Sequence, residues 1–357
     1  ILDAREPAQW PAGARPVDQS HAFDGLGRLL SRTLSYRGVG APNDVQVSPF
    51  LAEEAAGSTR PIPQSSGAQR KRFENFVHDG QGRLSENGDD TGTEWDRSLG
   101  TPTFDPYKPH RMTGTVSGTL SVKYDQIGNT TDLIVRRPGT CMGGKCVQHF
   151  IYDWDARSRL QRARRWDYAV LPTAEPTWPE EPTSVPAIDA NYVYSELGRV
   201  IKSVSVNGGS LKHTLEPSAM LRYEDVQFRA MTNDYVLDPR RGSVSLPGVA
   251  RVVYSEEALP TMDASGRHVL LLLTDAQRTV STVIDRDTSE VVEVVSTDPY
   301  GKTESDYRPP RWGGLREPTR LSGKTEDIEL GLQYFGARYY SPYLRRWMSP
   351  DPVTVQL

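Results

Sequence analysis

One short phrase recurs along the chain and restricts its folding more than any bulk property: an aromatic or apolar residue, Asp, two variable residues, Gly, then a basic or polar residue. It reads first as Phe23-Asp24-Gly-Leu-Gly27-Arg28, then as His78-Asp79-Gly-Gln-Gly82-Arg83 and Tyr124-Asp125-Gln-Ile-Gly128-Asn129. Looser copies are Tyr152-Asp153-Trp-Asp-Ala156-Arg157 and Tyr194-Ser195-Glu-Leu-Gly198-Arg199. Met262-Asp263-Ala-Ser-Gly266-Arg267 and Asp298-Pro-Tyr-Gly301-Lys302 come later. An Asp that closes an incoming strand accepts hydrogen bonds from N–H groups of the turn two residues on. A Gly three residues after it supplies the positive φ of a short, often bulged loop. Each copy therefore predicts a β-hairpin. One Asp-x-x-Gly would be a generic turn, but repetition with apolar residues ahead and strands behind predicts a chain of hairpins. The uneven spacing excludes a strict solenoid.

The segments that flank the phrase support this. Val200-Ile201-Lys-Ser-Val204-Ser-Val206 alternates, and His268–Leu273 and Thr279–Ile284 are rich in β-branched or aliphatic residues, so all three predict strands. Stretches 1–20, 37–70, 88–110 and 170–190 are rich in Pro, Gly, Ser and Asp and predict surface loops or edge decorations. The prolines of 170–187 exclude a helix or a central strand there. Helical periodicity is scarce. Its best candidate, Asp155 to Arg165, reads equally well as a basic strand.

Composition narrows the function classes. The 42 Lys+Arg nearly balance 46 Asp+Glu, which argues against a nucleic-acid partner. Hydrophobic residues make up 36%, with 16 Tyr and 7 Trp against 8 Phe, enough for a thin core covered by amphipathic aromatics. The longest apolar run, Val269–Leu273, is far short of a membrane span. The chain starts at Ile1 without a signal-like segment and is expected to be a piece of a longer protein. The six histidines are dispersed, and no phosphate loop or nucleophile elbow occurs. Neither a metal nor another cofactor is expected. Cys141 and Cys146 flank Met-Gly-Gly-Lys, a hairpin turn that a disulfide could staple; a zinc site is the weaker alternative, with only His149 nearby. Arg157, Arg159, Arg162, Arg164 and Arg165, bordered by Trp154 and Trp166, make a basic cluster. It suits a solvated strand face with cross-strand carboxylates, or else contact with phosphate or acidic cargo.

The repeated Tyr-Asp-x-x-Gly-Arg phrase resembles the YD repeat of Rhs proteins, teneurins and the C components of Tc toxin complexes. The segment Leu332-Gln-Tyr334-Phe-Gly-Ala-Arg338-Tyr-Tyr-Ser-Pro-Tyr-Leu-Arg-Arg346-Trp-Met-Ser-Pro-Asp351-Pro352 resembles the Rhs-associated core motif. The resemblance is specific over 260–352, diffuse over 20–260 and silent on the first twenty residues. It implies an all-β fold with little helix, in which one long antiparallel sheet of successive hairpins spirals into a hollow shell. Such a sheet protects its own edges, and its wall, one sheet thick, is expected to have no deep core. The division this implies is an irregular segment over 1–20, a YD-repeat shell over 21–260 and the core region over 261–357.

The same resemblance implies function. Toxin-bearing relatives hold a C-terminal effector inside the shell and are secreted or displayed on the bacterial surface, so this chain's expected partners are its own effector and a secretion or delivery component. Many relatives cut themselves after the core with paired aspartates and a nearby Arg, because two close carboxylates divide into an acid and a base. By position, Asp351 takes the terminal aspartate role and Arg338 the core arginine role. Three departures stand out. Tyr339 follows Arg338 where many relatives carry Asp, Arg345 replaces the usual Gly before Arg346-Trp347, and no Gly-Leu cleavage signal follows Pro352. Asp351 also reads as a plain turn residue, and the chain alone is expected to be catalytically inert. A cell-surface module binding carbohydrate or protein is the competing reading, and it asks for an outward aromatic patch.

Overall fold

The computed structural model describes residues 3–6, 10, 17–36, 72–89, 100–137, 144–170, 181–236, 241–255 and 266–352. Strands β1 (Val17–Phe23), β2 (Leu29–Tyr36), β3 (Phe73–His78) and β4 (Leu84–Asp89) form one sheet in chain order. A larger sheet begins with β5 (Pro102–Phe104), β6 (Met112–Thr115), β7 (Leu120–Tyr124) and β8 (Thr130–Arg136). It continues through β9 (Val147–Trp154), β10 (Leu160–Tyr168), β11 (Ile188–Ser195) and β12 (Gly198–Val206). Next come β13 (Lys212–Leu215) and β14 (Leu221–Arg229), which pairs with both the short β15 (Asp234–Val236) and β16 (Arg241–Leu246). β17 (Ala250–Ser255), β18 (Arg267–Thr274), β19 (Val280–Asp285), β20 (Val291–Thr297) and β21 (Thr303–Tyr307) extend it, and the strand order leads from β21 round to β5. The result is one long antiparallel sheet of successive hairpins curled into a shell wall. A small sheet of β22 (Thr325–Asp327), β23 (Leu332–Tyr334), β24 (Tyr339–Ser341) and β25 (Arg346–Trp347) carries the C-terminal motif. Helical turns such as Pro310–Trp312 are short and 3₁₀.

The repeated phrase builds one local device. Asp24 Oδ1 accepts hydrogen bonds from the N–H groups of Leu26 and Arg28, both at 2.9 Å, while Oδ2 takes Arg28 Nε at 2.6 Å. Asp79 repeats this with Gln81 and Arg83, at 2.9, 2.9 and 2.6 Å. Gly27 (φ 75°) and Gly82 (φ 77°) occupy the left-handed position, and a register shift precedes each turn, at Ala22/Phe23 and Val77/His78. The hydrogen bond from the Arg28 N–H leads the interactions that hold the Asp24 carboxyl below its usual value. The arginines then stitch one hairpin to the next: Arg28 Nη1 reaches the Asp79 carbonyl at 3.4 Å, Arg83 lies 3.9 Å over the Phe104 ring, and Arg159 lies 5.0 Å over Tyr194.

Asp79→Ala removes three hydrogen bonds to one partly buried carboxylate and is expected to destabilise the β3–β4 hairpin by about 2 kcal/mol. Asp79→Asn keeps the Oδ1 acceptor and should recover part of that loss. Amide exchange across 73–89 reads both, and equal protection in wild type and Asp79→Ala would refute the device.

Several sequence expectations need correction. The turn assigned to Asp153 is made by Asp155, whose Oδ1 takes the N–H groups of Arg157 and Arg159 at 2.8 and 2.9 Å, with Ser158 (φ 57°) in the left-handed position. Asp155 to Arg165 is accordingly turn and strand, not helix. A further copy, Asp275 to Thr279, went unread because Arg278 (φ 65°) stands where Gly was expected; its Asp275 Oδ1 binds Gln277 and Thr279 N–H at 2.8 Å. The loop expectations over 1–20, 88–110 and 170–190 hold strand at their edges, in β1, β4 and β11, and β5 lies within 88–110. All of 37–70, and Met262 to Ser265 of the copy that begins there, lie outside the described residues.

The wall also has a deeper core than one sheet alone provides. Leu330, Leu332, Tyr339, Leu344 and Met348 of the C-terminal motif pack against Leu133, Phe150, Leu160, Ala190 and their neighbours on β7 to β12. Apolar wall surface that would otherwise face water is thereby buried. A second cluster joins Val253, Leu270, Val283 and Val292 to Trp312 and Leu315. Part of the first twenty residues is seated too: Asp3 bridges to Glu290, and Trp10 packs on Val291 while its indole N–H donates to the Asp3 carbonyl at 2.8 Å.

Candidate functional site

The C-terminal motif docks where the repeated phrase is degenerate. In an intact copy, Asp and Arg satisfy each other within the turn. In the Tyr194 copy, Ser195 replaces Asp, and its Oγ accepts only the Leu197 N–H at 3.1 Å. Arg199 is therefore released from its own turn. Its Nη1 donates to Asp327 Oδ2 at 2.8 Å and to the Tyr339 hydroxyl at 3.0 Å, while Nε and Nη2 clamp Glu216 at 2.8 and 3.1 Å. The guanidinium is fully buried and lies 4.7 Å over the Tyr334 ring. Lys202 joins from the same strand, with Nζ 3.1 Å from Asp327 and 2.7 Å from Glu329. Burial alone would raise the Asp327 carboxyl, but Arg199 and Lys202 overcome it and hold the group below its usual value.

The Asp298 copy is degenerate in the opposite sense. Asp298 Oδ1 closes its turn on the N–H groups of Tyr300 and Lys302, both at 2.9 Å. With Lys302 in place of Arg, Oδ2 receives Arg345 Nη2 from the C-terminal motif at 3.1 Å. Arg345 also lies 4.8 Å over Tyr300 and 3.7 Å from Glu74. Its φ of 56° answers the question raised by its replacing Gly: the left-handed turn is kept, and ion pairing and stacking offset the strain of a non-glycine there.

Both residues assigned to self-cleavage meet. Arg338 Nη2 lies 2.9 Å from Asp351 Oδ2, and the guanidinium stacks 4.1 Å over the Trp347 ring. Both side chains are partly exposed. Tyr339, the residue standing where relatives carry an aspartate, turns its hydroxyl to Arg199, so position 339 supplies no second carboxyl to Asp351. Arg199, Asp327 and Tyr339 were not predicted as a group. The only signal was the substitution of Ser195 in an otherwise regular phrase.

A second buried ionic group lies between β20, β21 and the segment after them. Arg320 Nη2 is 2.5 Å from Glu293 and 3.3 Å from Asp306, while Arg316 and Arg308 flank Asp306 at 3.5 and 3.2 Å. Burial, with Asp306 adding to it against the neighbouring arginines, pushes Glu293 up to about 7.

In the basic cluster the carboxylate partners are present: Arg159 pairs with Asp155, Arg162 with Asp189, Arg164 with Asp153 and Glu181, and Arg165 with Asp167. Its solvated character is corrected for Arg164 and Arg165, which are buried; Arg165 also donates to the Glu329 carbonyl. His149 is buried 3.6 Å from Asp132, and His268 is buried 2.7 Å from Asp285. Cys146 is disulfide-bonded, and Cys141 lies outside the described residues. Among the described residues, no His, Cys, Asp and Glu group suits a metal ion, and no helix is long and apolar enough to cross a membrane.

Residues 183–357 match the family described as Teneurin YD-shell. No curated protein matches the chain. Among solved structures, one described as TcdB2-TccC3-Cdc42 gives a TM-score of 0.43 at 14% identity over 94% of this chain and 19% of its own. TcdB2-TccC3 gives the same score and identity over 94% and 20%. A Tc holotoxin pore of Photorhabdus luminescens gives 0.42 at 16% identity over 94% and 19%. The chain thus spans about a fifth of the length of those chains.

Proposed function

The chain is an Rhs/YD-repeat protein, and on that premise we propose that its shell encloses an effector belonging to the same polypeptide. The observation that carries this reading is the seating of the C-terminal motif against the wall through Arg199, Asp327 and Tyr339. A segment anchored there would hold whatever follows it close to the shell wall. The chain would be delivered outside the cell by a dedicated component.

Release of the effector would follow from self-cleavage at the motif. Asp351 is the candidate acid or base, and Arg338 positions its carboxylate through the 2.9 Å contact. Such chemistry needs a second carboxyl close enough that one stays protonated while the other activates water. Since Tyr339 stands in the aspartate position, the second carboxyl must come from elsewhere, and the chain alone should be inert. The adhesion reading asks for outward aromatics. Exposed aromatics do occur among the described residues, at Phe23, Phe73, Tyr107, Phe228, Tyr254 and Trp347, each on a different strand or loop.

Intact mass analysis of the full open-reading-frame product tests the proposal. The native protein should separate into shell and C-terminal pieces on denaturation, while Asp351→Asn stays whole. A single uncut native chain would rule out self-cleavage and leave Asp351 as a turn residue.

A further inference from the structure

A cavity of about 260 Å³ lies where the β3–β4 hairpin meets the β24–β25 turn. Arg83, Arg345, Arg346 and His78 line it, with Met112 and Leu344 supplying apolar surface. Among the described lining residues there is no carboxylate. Arg83 has Asp79 behind it at 2.6 Å, and Arg345 has Asp298 at 3.1 Å. Arg346 has no such partner among the described residues: its hydrogen bond goes to the His110 carbonyl at 3.3 Å, and its guanidinium lies 5.0 Å over Phe104.

Two further polar groups are left over. The Arg345 side chain is only 5% exposed, and its Nη1 has no hydrogen-bond partner. His78 Nδ1 is also buried without one. Buried polar nitrogens of this kind are costly unless something bonds to them. Burial first, and neighbouring Arg83 with it, pushes the Arg346 pKa down, as expected of a cation short of counter-charge.

We propose that this cavity binds a small organic carboxylate, with its anionic head on Arg346 and a short apolar tail against Met112 and Leu344. One cation without a carboxylate partner matches one negative charge, and planar guanidinium groups suit a carboxylate's two oxygens. The apolar surface gives a tail a place that a bare inorganic anion cannot use. The site is independent of whether the shell encloses an effector.

Calorimetric titration of the full chain with hexanoate, and separately with inorganic phosphate, tests it. Hexanoate should bind saturably and phosphate should not. Arg346→Gln should weaken hexanoate about tenfold or more, the scale of one charged hydrogen bond. His78→Phe keeps the ring volume and removes the buried nitrogen, so it gives a second reading of the site should Arg346→Gln fail to fold. No saturable hexanoate binding by wild type up to about 10 mM overturns the proposal. Unchanged affinity in both variants, or saturable phosphate binding without hexanoate binding, overturns it equally.

Discussion

Arg199→Met is expected to cost about 3–5 kcal/mol of unfolding free energy, the range for removing one partner from a buried ion pair, and to loosen the C-terminal motif from the wall. The substitution retains much of the side chain's volume and its contact with Tyr334, so packing is not the main loss. The loss arises because Asp327 and Glu216 stay buried without the guanidinium that now bonds both. Lys202, 3.1 Å from Asp327, holds part of that charge and keeps the penalty from exceeding the range. Arg199→Lys should fall between, because one ammonium cannot span Glu216 and Asp327 as the planar fork does. The pH sign follows from Asp327. Its carboxyl is held below the usual value in the fold, so it contributes stability above the ordinary carboxylate range and loses it as pH falls through the lowered folded value. Arg199→Met should raise that folded value and flatten the acid limb. Denaturant unfolding gives the energy, and amide exchange over 325–352 gives the local effect. A cost under about 1 kcal/mol, with unchanged exchange, would show that the motif is held by apolar packing alone.

The parts of this architecture that were legible in the sequence are those decided within a few residues. Asp24 and Asp79 accept hydrogen bonds from residues two and four positions on, so the phrase itself states the hairpin. Legibility failed first where the local code is ambiguous. Asp153 and Asp155 both sit before a basic residue, and only the backbone at Ser158 decides which one closes the turn. The Asp275 turn was hidden because Arg278 adopts a conformation that sequence reading reserves for glycine. Legibility failed most where partners are far apart along the chain. Arg199 and Asp327, or Asp298 and Arg345, show no shared pattern, and each is exposed by a fault in a repeat rather than by a motif. The thin-core expectation failed for the same reason. Leu332 and Met348 belong to the C-terminal motif, and nothing local tells that they pack against the wall. Arg338 and Asp351 were assigned by resemblance, and the fold brings them together at 2.9 Å.

Arg320→Met should be as damaging, about 3–5 kcal/mol, but with the opposite dependence on pH. Arg320 is fully buried and is the cation closest to Glu293, at 2.5 Å. Glu293 differs from Asp327 because burial wins there and lifts its carboxyl to about 7. A carboxyl whose folded pKa is raised contributes stability below its ordinary value, and that contribution is lost as pH rises through the folded value. The wild type should therefore lose stability from this group between about pH 4.5 and 7, and little beyond. Without Arg320 the ionised Glu293 has lost its nearest counter-charge, so its pKa should climb further and the decline should extend to higher pH. Glu293→Gln removes the titrating group while keeping an acceptor for the Glu317 N–H, now at 2.8 Å. Combined with Arg320→Met, it should restore a large part of the lost stability at pH 8 and almost none at pH 5. That difference separates charge from packing: a side chain missed only for its volume would leave the same deficit at both pH values. Denaturant unfolding of the four proteins at the two pH values measures it, and a rescue independent of pH would mean that Glu293 does not titrate in this range.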